Sequence, residues 1–127
     1  MKNRGFYITV NERAISVNSM YGRKGSRSFL TNEAINLQKA IRNAVEEKYG
    51  YNYEQYENKV MIKIMVEKAT NKEFDLDNCA KLVIDGIVKA GVIVDDDLVY
   101  ELYMKKGIGK VDCIRVKIEE IVFQEVL

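Results

Sequence analysis

The segment that most constrains the fold of this chain is residues 75–97, with the sequence DLDNCAKLVIDGIVKAGVIVDDD. Apolar residues recur through its middle at helical intervals, so we predict an amphipathic helix from about Asp77 to Ala90. Gly91 suits the left-handed conformation in which many helices end, and the chain must turn back after it. Acidic residues therefore lie before, on and after a single helix.

The polar face of the predicted helix carries charges four positions apart, which places them in one stripe. The stripe consists of Asp77, Lys81, Asp85 and Lys89. Asp75 lies just before the helix. We expect the returning loop to bring at least one aspartate of the run 95–97 beside Asp75 and Asp77. The spacing thus predicts a cluster of carboxylates with a lysine next to it.

The rest of the pattern predicts one domain, residues 1–127, with a two-layer α+β or α/β fold. In chain order, the predicted elements are strands at 6–10 and 14–17, a helix at 31–49, a strand at 59–67, the helix described above, and strands at 98–106 and 111–122. A mixed β-sheet packed against two main helices, in the order β-(β)-α-β-α-β-β, accommodates this succession. Gly107-Ile108-Gly109 predicts a hairpin turn between the last two strands.

The sequence has no apolar run approaching the roughly 20 residues of a membrane span, and no signal peptide is visible. We therefore expect a cytoplasmic protein without a membrane partner. The two cysteines, Cys79 and Cys113, do not have a metal-binding spacing. We interpret both as small core residues.

The sequence contains no histidine. This excludes Ser-His-Asp and Cys-His catalysis, histidine-ligated zinc, and nucleases that use a histidine base. Catalysis would have to use carboxylates, lysine and, as we expect, a metal ion. A set of carboxylate ligands suits Mg²⁺ or Mn²⁺ rather than zinc.

The charges are unevenly distributed, although the formal net charge is only +1. Residues 1–31 contain six basic residues and one acidic residue, a net +5, whereas residues 73–101 contain two basic and eight acidic residues, a net −6. DNA would be repelled by the acidic segment unless a cation intervened. A basic arm and a metal-bound acidic centre would then fit one substrate.

Residues 18–27, NSMYGRKGSR, predict a glycine-rich basic loop in which arginines could bind phosphate and Tyr21 could stack on a base. Taken alone, a short basic run is more often a solvated surface loop. The acidic positions also have structural interpretations. Asp75 or Asp77 could cap the helix, Lys81 could pair along it, and residues 95–97 could form a solvated turn.

A series of motifs runs through the acidic segment: Asp75-Leu76-Asp77-Asn78 with Lys81, then Asp85-Gly86-Ile87, Ala90-Gly91, and Asp95-Asp96 before Val99. Together with residues 17–21, the basic loop and residues 29–31, this series resembles the RusA family of Holliday junction resolvases over residues 17–122. The chain departs from the family in two ways. It has no proline before the amino-terminal asparagine motif, and it has three consecutive aspartates where the family usually has two.

The resemblance implies a homodimeric, Mg²⁺-dependent crossover junction endodeoxyribonuclease that binds branched DNA and nicks two strands symmetrically, in recombination and repair. Mn²⁺ would substitute for Mg²⁺. The implied catalytic residues are Asp75, Asp77, Lys81 and Asp96, and the three aspartates are also the implied metal ligands. Because of the third aspartate, Asp95 and Asp97 are alternatives to Asp96. Asn78 would orient a carboxylate. The expected DNA contacts are Asn18, Tyr21, Arg23, Lys24 and Arg27.

Two other functions fit parts of the sequence. A non-catalytic junction-binding protein would use the same basic arm, would not need Mg²⁺ and would leave no nicks. A small metal-dependent phosphohydrolase would use Asp75 as a nucleophile and would be indifferent to DNA structure. The second alternative is weaker, because such enzymes usually place a wholly apolar strand before the motif, whereas residues 71–73 here are Asn-Lys-Glu.

Overall fold

The computed structural model describes residues 5–16, 21–24, 27–69 and 75–121, and of residues 21, 23 and 27–29 it describes the backbone only. Its elements in chain order are β1 (Phe6–Val10), β2 (Tyr21–Lys24), β3 (Arg27–Leu30), α1 (Asn32–Tyr49), β4 (Val60–Lys68), α2 (Ala80–Lys89), β5 (Val99–Ile108) and β6 (Cys113–Glu120). Short 3-10 turns, Asp77–Cys79 and Asp96–Leu98, precede α2 and β5.

Four of the strands form one mixed sheet in the order β1-β6-β4-β5. β4 and β5 are parallel, whereas β6 is antiparallel to both β4 and β1. β2 and β3 form a separate antiparallel hairpin. The prediction of an α+β fold, with a mixed sheet and two main helices, is confirmed.

The core follows from the alternation of side chains along the central strands. On β4, Val60, Ile62, Ile64 and Val66 are buried, and the residues between them are more exposed. Their partners on β6 are apolar as well, since Ile64 pairs with Val116. Helix α1 buries a matching stripe against this face: Ala34, Leu37, Ile41 and Val45.

Helix α1 is delimited by the residues predicted to start and stop it. The Thr31 hydroxyl accepts a hydrogen bond from the Ala34 N–H at 3.2 Å, and Gly50 ends the helix with a φ of 81°. Helix α2 then packs closely on α1 at Gly86. A Cβ added to Gly86 would lie 2.5 Å from Cδ1 of Ile41, so a glycine is needed for this approach.

The prediction of a hairpin between β5 and β6 is wrong, because β6 pairs with β4 and β1. The connection crosses the end of β4, where the Gly109 N–H donates to the Lys68 carbonyl at 2.9 Å. The Glu67 side chain lies against Gly109 at this crossing, so a larger residue there would have to displace it. The arrangement places β4 and β6, which each bury four side chains, next to each other in the centre of the sheet.

The amino-terminal predictions also need correction. Residues 13–16 form no strand, so the strand predicted at 14–17 is wrong over its described part, although Ala14 and Ile15 are buried. Their apolar character reflects core packing rather than strand pairing. Strands β2 and β3 lie instead within and just after the predicted loop 18–27, and pair Tyr21 with Leu30 and Lys24 with Arg27.

Two smaller expectations can be compared with the structure. Cys79 and Cys113 are both buried and unbridged, as predicted for small core residues. In the described part of the chain, neither helix combines the length and the apolar character that crossing a membrane requires.

Candidate active site

The first part of the site is the turn that leads into α2. The Asn78 N–H donates to the Asp75 carbonyl at 3.2 Å, and the Cys79 N–H donates to the Leu76 carbonyl at 3.1 Å. Neither this turn nor α2 has a side-chain cap at its start. The exposed carboxylates of Asp75 and Asp77 are therefore not used as helix caps, which removes one structural interpretation of the motif.

Asn78 lies beside the first carboxylate of the motif. Its side-chain amide Nδ2 donates to Oδ2 of Asp75 at 3.3 Å. The contact restricts the orientation of the Asp75 carboxylate, and it is the kind of contact that the resemblance implies for Asn78. The catalytic role of Asp75 and the orienting role of Asn78 stay predictions.

One turn along the helix, Lys81 pairs with an acidic residue to which sequence reasoning gave no role. Nζ of Lys81 lies 3.6 Å from Oδ2 of Asp85, with side chains 55% and 22% exposed. The half-exposed lysine can still reach a ligand, while Asp85 limits where its ammonium group lies. The four-residue spacing was visible in the sequence, but it indicated Asp77 and Asp85 equally as partners of Lys81.

The loop after α2 returns along the helix because it is anchored in the core. Gly91 has a φ of 80°, and the following Val92 and Ile93 are fully buried. The Tyr56 N–H donates to the Val92 carbonyl at 2.8 Å, and the Val94 N–H donates to the Tyr56 carbonyl at 3.2 Å. These contacts fix the start of the acidic run 95–97.

The structure distinguishes the aspartates of the run. Oδ1 of Asp95 accepts a hydrogen bond from the Asp97 N–H at 3.1 Å and caps the 3-10 turn before β5. This hydrogen bond lowers the pKa of Asp95. The Asp95 carboxylate is thus engaged in its own turn, which favours Asp96 over Asp95 as the site residue.

Asp96 faces the polar stripe of α2. A hydrogen bond shared with the Asp95 carboxyl raises its pKa, and the negative charge of Asp85 acts in the same direction, whereas Lys81 opposes it. Both α2 residues are therefore within electrostatic reach of Asp96. The loop has turned back to the helix as expected, with Asp96 beside the Lys81–Asp85 pair.

The gathering of Asp75, Asp77 and Asp96 around a metal ion stays a prediction. Within residues 5–16, 21–24, 27–69 and 75–121, no three acidic, cysteine or histidine side chains are arranged to hold a metal ion. Asp96 lies within electrostatic reach of Lys81 and Asp85 on α2, whereas Asp75 and Asp77 precede this helix. The oxygen donors suit Mg²⁺ by their chemistry, but their arrangement does not by itself define a metal site.

Two lysines of the sheet lie near the turn that carries Asp75 and Asp77 and leads into α2, called here the acidic turn. Sequence reasoning missed both lysines. Lys68 ends β4, and Lys106 pairs with Val66 across the parallel strands, so both are on the core side of the sheet. Burial raises the pKa of the Cys79 thiol, and the charges of Lys68, Asp77, Asp75 and Lys106 also act on it. Only the pairing of β4 with β5 brings these cations together, so no local sequence signal could reveal them.

The predicted DNA-binding residues lie mostly beyond what the structure describes. Asn18 falls outside the described residues, and Tyr21, Arg23 and Arg27 are described by their backbone in the β2–β3 hairpin. Lys24 is exposed at the end of β2. Their DNA contacts stay predictions.

Comparison with known proteins gives one result. A family model described as "Endodeoxyribonuclease RusA" matches residues 13–119, a range that contains every acidic and basic residue of the candidate site. Comparison with curated proteins gives no significant match.

Proposed function

Because the chain belongs to the RusA endodeoxyribonuclease family, we propose that it resolves four-way DNA junctions by paired, symmetric nicks in recombination and repair. The observation that carries this proposal is the position of Asp96 near Lys81 and Asp85 of α2, the helix that follows the turn bearing Asp75 and Asp77. An exposed group of carboxylates with adjacent lysines suits hydrolysis of a phosphodiester.

We further propose that Mg²⁺ binds to Asp75, Asp77 and Asp96, with Mn²⁺ as a substitute. The ion, when bound, would supply charge neutralisation and an activated water. Asn78 holds the Asp75 carboxylate through its side-chain amide. The three aspartates come from the turn before α2 and from the loop after it, and Asp96 lies within electrostatic reach of Lys81 and Asp85.

Lys81 is proposed to offset the negative charge that develops on the scissile phosphate. Asp85 lies 3.6 Å from its ammonium group and positions it. Lys68 and Lys106 would attract the neighbouring phosphates of the same strand, since both lie near the acidic turn. The products would carry 5′-phosphate and 3′-hydroxyl ends.

The β2–β3 hairpin is proposed to bind the arms of the junction. Asn18, Tyr21, Arg23, Lys24 and Arg27 would contact the sugar-phosphate backbone, which carries no sequence information. Preference for junctions would then come from DNA shape. A homodimer is proposed because two sites related by a two-fold axis match a substrate with two equivalent strands.

The test compares a synthetic four-way junction with a linear duplex of the same sequence, with and without Mg²⁺. We expect paired nicks in the junction only, and only with Mg²⁺. The Asp77→Asn variant should cleave about a hundredfold more slowly or not at all, because a carboxylate ligand is lost, while junction binding is retained or strengthened. Glu47→Gln, an isosteric change on the exposed surface of α1, is the matched control.

The outcomes separate the alternatives. Tight junction binding that needs no Mg²⁺ and leaves no nicks would identify a junction-binding protein. Hydrolysis of small phosphate esters without preference for junctions would identify a phosphohydrolase. Full cleavage by Asp77→Asn would remove Asp77 from the site.

A further inference from the structure

The face of the main sheet that points away from the helices carries a row of aromatic and basic side chains. Side chains alternate along each strand, so this face is opposite to the one that buries Ile62 and Ile64 in the core. Helix α2, which carries the charged stripe of the candidate active site, packs on the core face. Strand pairing places four exposed residues side by side across the outer face, here called the tyrosine–lysine row: Tyr7, Lys117, Lys63 and Tyr103.

The two lysines at the centre of the row lie directly opposite each other, Lys63 on β4 and Lys117 on β6. Like charges in this cross-strand position destabilise a sheet. Nζ of Lys117 lies 3.3 Å from Oε1 of Glu119, and both side chains are about half exposed. An ion pair this exposed contributes little, so another anion can replace the glutamate. A phosphate group lying between the two ammonium groups would relieve their repulsion.

Tyrosines occupy both ends of the row and are 41% and 60% exposed at Tyr7 and Tyr103. They are three strand spacings apart, about 14 Å. The backbone of Tyr7 is held by α1, since its N–H donates to the Tyr49 hydroxyl at 3.0 Å and its carbonyl accepts from Nζ of Lys48 at 2.6 Å. Nζ of Lys48 lies 4.9 Å from the centre of the Tyr7 ring, and Nζ of Lys63 lies 6.0 Å from that of Tyr103. Each ring thus offers a stacking surface with a cation beside it.

The charges on the two sides of the row differ. Lys105 and Arg115 lie on one side, and Glu101 and Glu119 lie on the other. Arg115 is itself paired with Glu67 at 3.2 Å, so Lys105 is the main cation of the basic side. A polyanion that follows the row across the sheet has cations at its centre and along one side. The acidic side keeps it in that direction.

We propose that the tyrosine–lysine row binds an unpaired DNA strand, with bases stacked on Tyr7 and Tyr103 and phosphates bound at Lys63 and Lys117. Aromatic rings combined with cations on an exposed surface bind single-stranded nucleic acid without sequence preference. A duplex hides the faces of its bases, so the two rings select an unpaired strand. The choice of DNA over RNA rests on the proposed function, whereas the surface itself is separate from the candidate active site.

The test uses fluorescence anisotropy with a labelled oligothymidylate of about 12 nucleotides, within the roughly 4–16 nucleotides that single-strand binding folds cover. EDTA prevents cleavage. Tyr103→Leu should bind roughly tenfold more weakly, because a base loses its stacking partner. Tyr103→Phe keeps the ring and should bind like wild type. Tyr51→Leu changes an exposed tyrosine of the loop after α1 and should have no effect.

The lysines are tested by salt dependence and by stability together. Lys63→Gln should weaken binding and lower the slope of log affinity against log salt by about 0.7, the value for one phosphate contact of a single strand. The substitution also removes the repulsion from Lys117, so the thermal unfolding midpoint should stay the same or rise. Lys39→Gln, on the exposed surface of α1, removes the same charge elsewhere and should leave the slope unchanged. A lower midpoint in Lys63→Gln would contradict the argument from repulsion.

Several results would overturn the proposal. One is oligothymidylate binding that neither Tyr103→Leu nor Lys63→Gln weakens, and another is a loss in Tyr103→Phe as large as in Tyr103→Leu. Tighter binding of an oligouridylate than of the oligothymidylate would overturn the choice of DNA. Self-association of wild type that Tyr103→Leu abolishes would show that a second copy, rather than DNA, covers this face.

The outcome is distinguishable from that of the proposed function. Cleavage of four-way junctions by a protein that does not bind oligothymidylate through the tyrosine–lysine row would remove only this inference. A protein that binds the oligonucleotide through the row but never cuts junctions would remove only the proposed cleavage.

Discussion

Asp95 and Asp96 are neighbours with equally exposed side chains, yet their surroundings shift their pKa values in opposite directions. The Asp97 N–H stabilises the Asp95 carboxylate, which lowers its pKa. A hydrogen bond to the Asp95 carboxyl stabilises the protonated form of Asp96 and raises its pKa. We therefore expect Asp96 to bind a proton at a higher pH than Asp95 does.

This difference can be measured by a carboxyl-detected NMR titration of the metal-free protein. We expect the midpoint of Asp96 above the ordinary value of 3.8 and that of Asp95 below it. In Asp95→Asn the side-chain amide can donate to the Asp96 carboxylate, which favours the charged form, so the midpoint of Asp96 should fall. A midpoint of Asp96 at or below that of Asp95 would contradict the conformation of this loop.

Residues of the site that are close together in the sequence could be predicted, whereas residues brought together from distant parts of the chain could not. The motif from Asp75 to Lys81 is local, so its helix followed from spacing, and the resemblance implied that Asn78 lies beside a carboxylate. Asp96 required a returning loop, and its position beside Asp85 is fixed by the burial of Val92 and Ile93. Lys68 and Lys106 could not be predicted, because parallel pairing of two strands brings them together.

At the scale of elements, the contact of α1 with α2 explains the glycine of the Asp85-Gly86-Ile87 motif. Ile41 is fully buried, so its Cδ1 has little room to move away from a new Cβ at position 86. The glycine is therefore a packing residue of the two helices. It holds α2, and with it the charged stripe, against the core.

We expect Gly86→Ala to lower the free energy of unfolding by about 1 kcal/mol, because the cost of overpacking exceeds the gain in helix propensity. Ile41→Val removes the atom that Cβ would contact. In that background Gly86→Ala should be neutral or stabilising. Urea denaturation of the two single variants and the double variant measures the coupling. An equal effect of Gly86→Ala in both backgrounds would show that Ile41 does not limit this position.

The order of strands shows where a sequence pattern fails at this scale. The glycines at 107 and 109 were interpreted as a hairpin turn because strands adjacent in sequence usually pair. The apolar faces of β4 and β6 match each other better than either matches β5, whose side chains are largely exposed. Tertiary packing thus outweighed the local turn signal. Because β6 pairs with β4 instead of β5, β5 is left at the edge of the sheet.

At the scale of the whole molecule, a net charge of +1 conceals two separated regions of opposite charge. The sequence located the acidic region, but it did not predict that the end of the parallel β4–β5 pair would set lysines beside that region. Strand ends that meet at one edge of a sheet bring together residues far apart in the chain. DNA near the acidic turn would therefore meet cations as well as carboxylates.

Lys68 tests this arrangement, because it ends β4 and lies near the turn that carries Asp75 and Asp77. If its ammonium group binds a phosphate of the junction, Lys68→Gln should weaken binding uniformly across junction sequences and lower the slope of log affinity against log salt by about 1. Fluorescence anisotropy with a labelled junction at several salt concentrations gives both quantities. Lys39→Gln, on the exposed surface of α1, removes the same charge far from the acidic turn and should leave the slope unchanged. If log affinity falls with log salt at the same slope in the Lys68 variant and in wild type, the bound DNA does not contact Lys68. The charge of Lys68 would then serve only to offset the charges of Asp75 and Asp77.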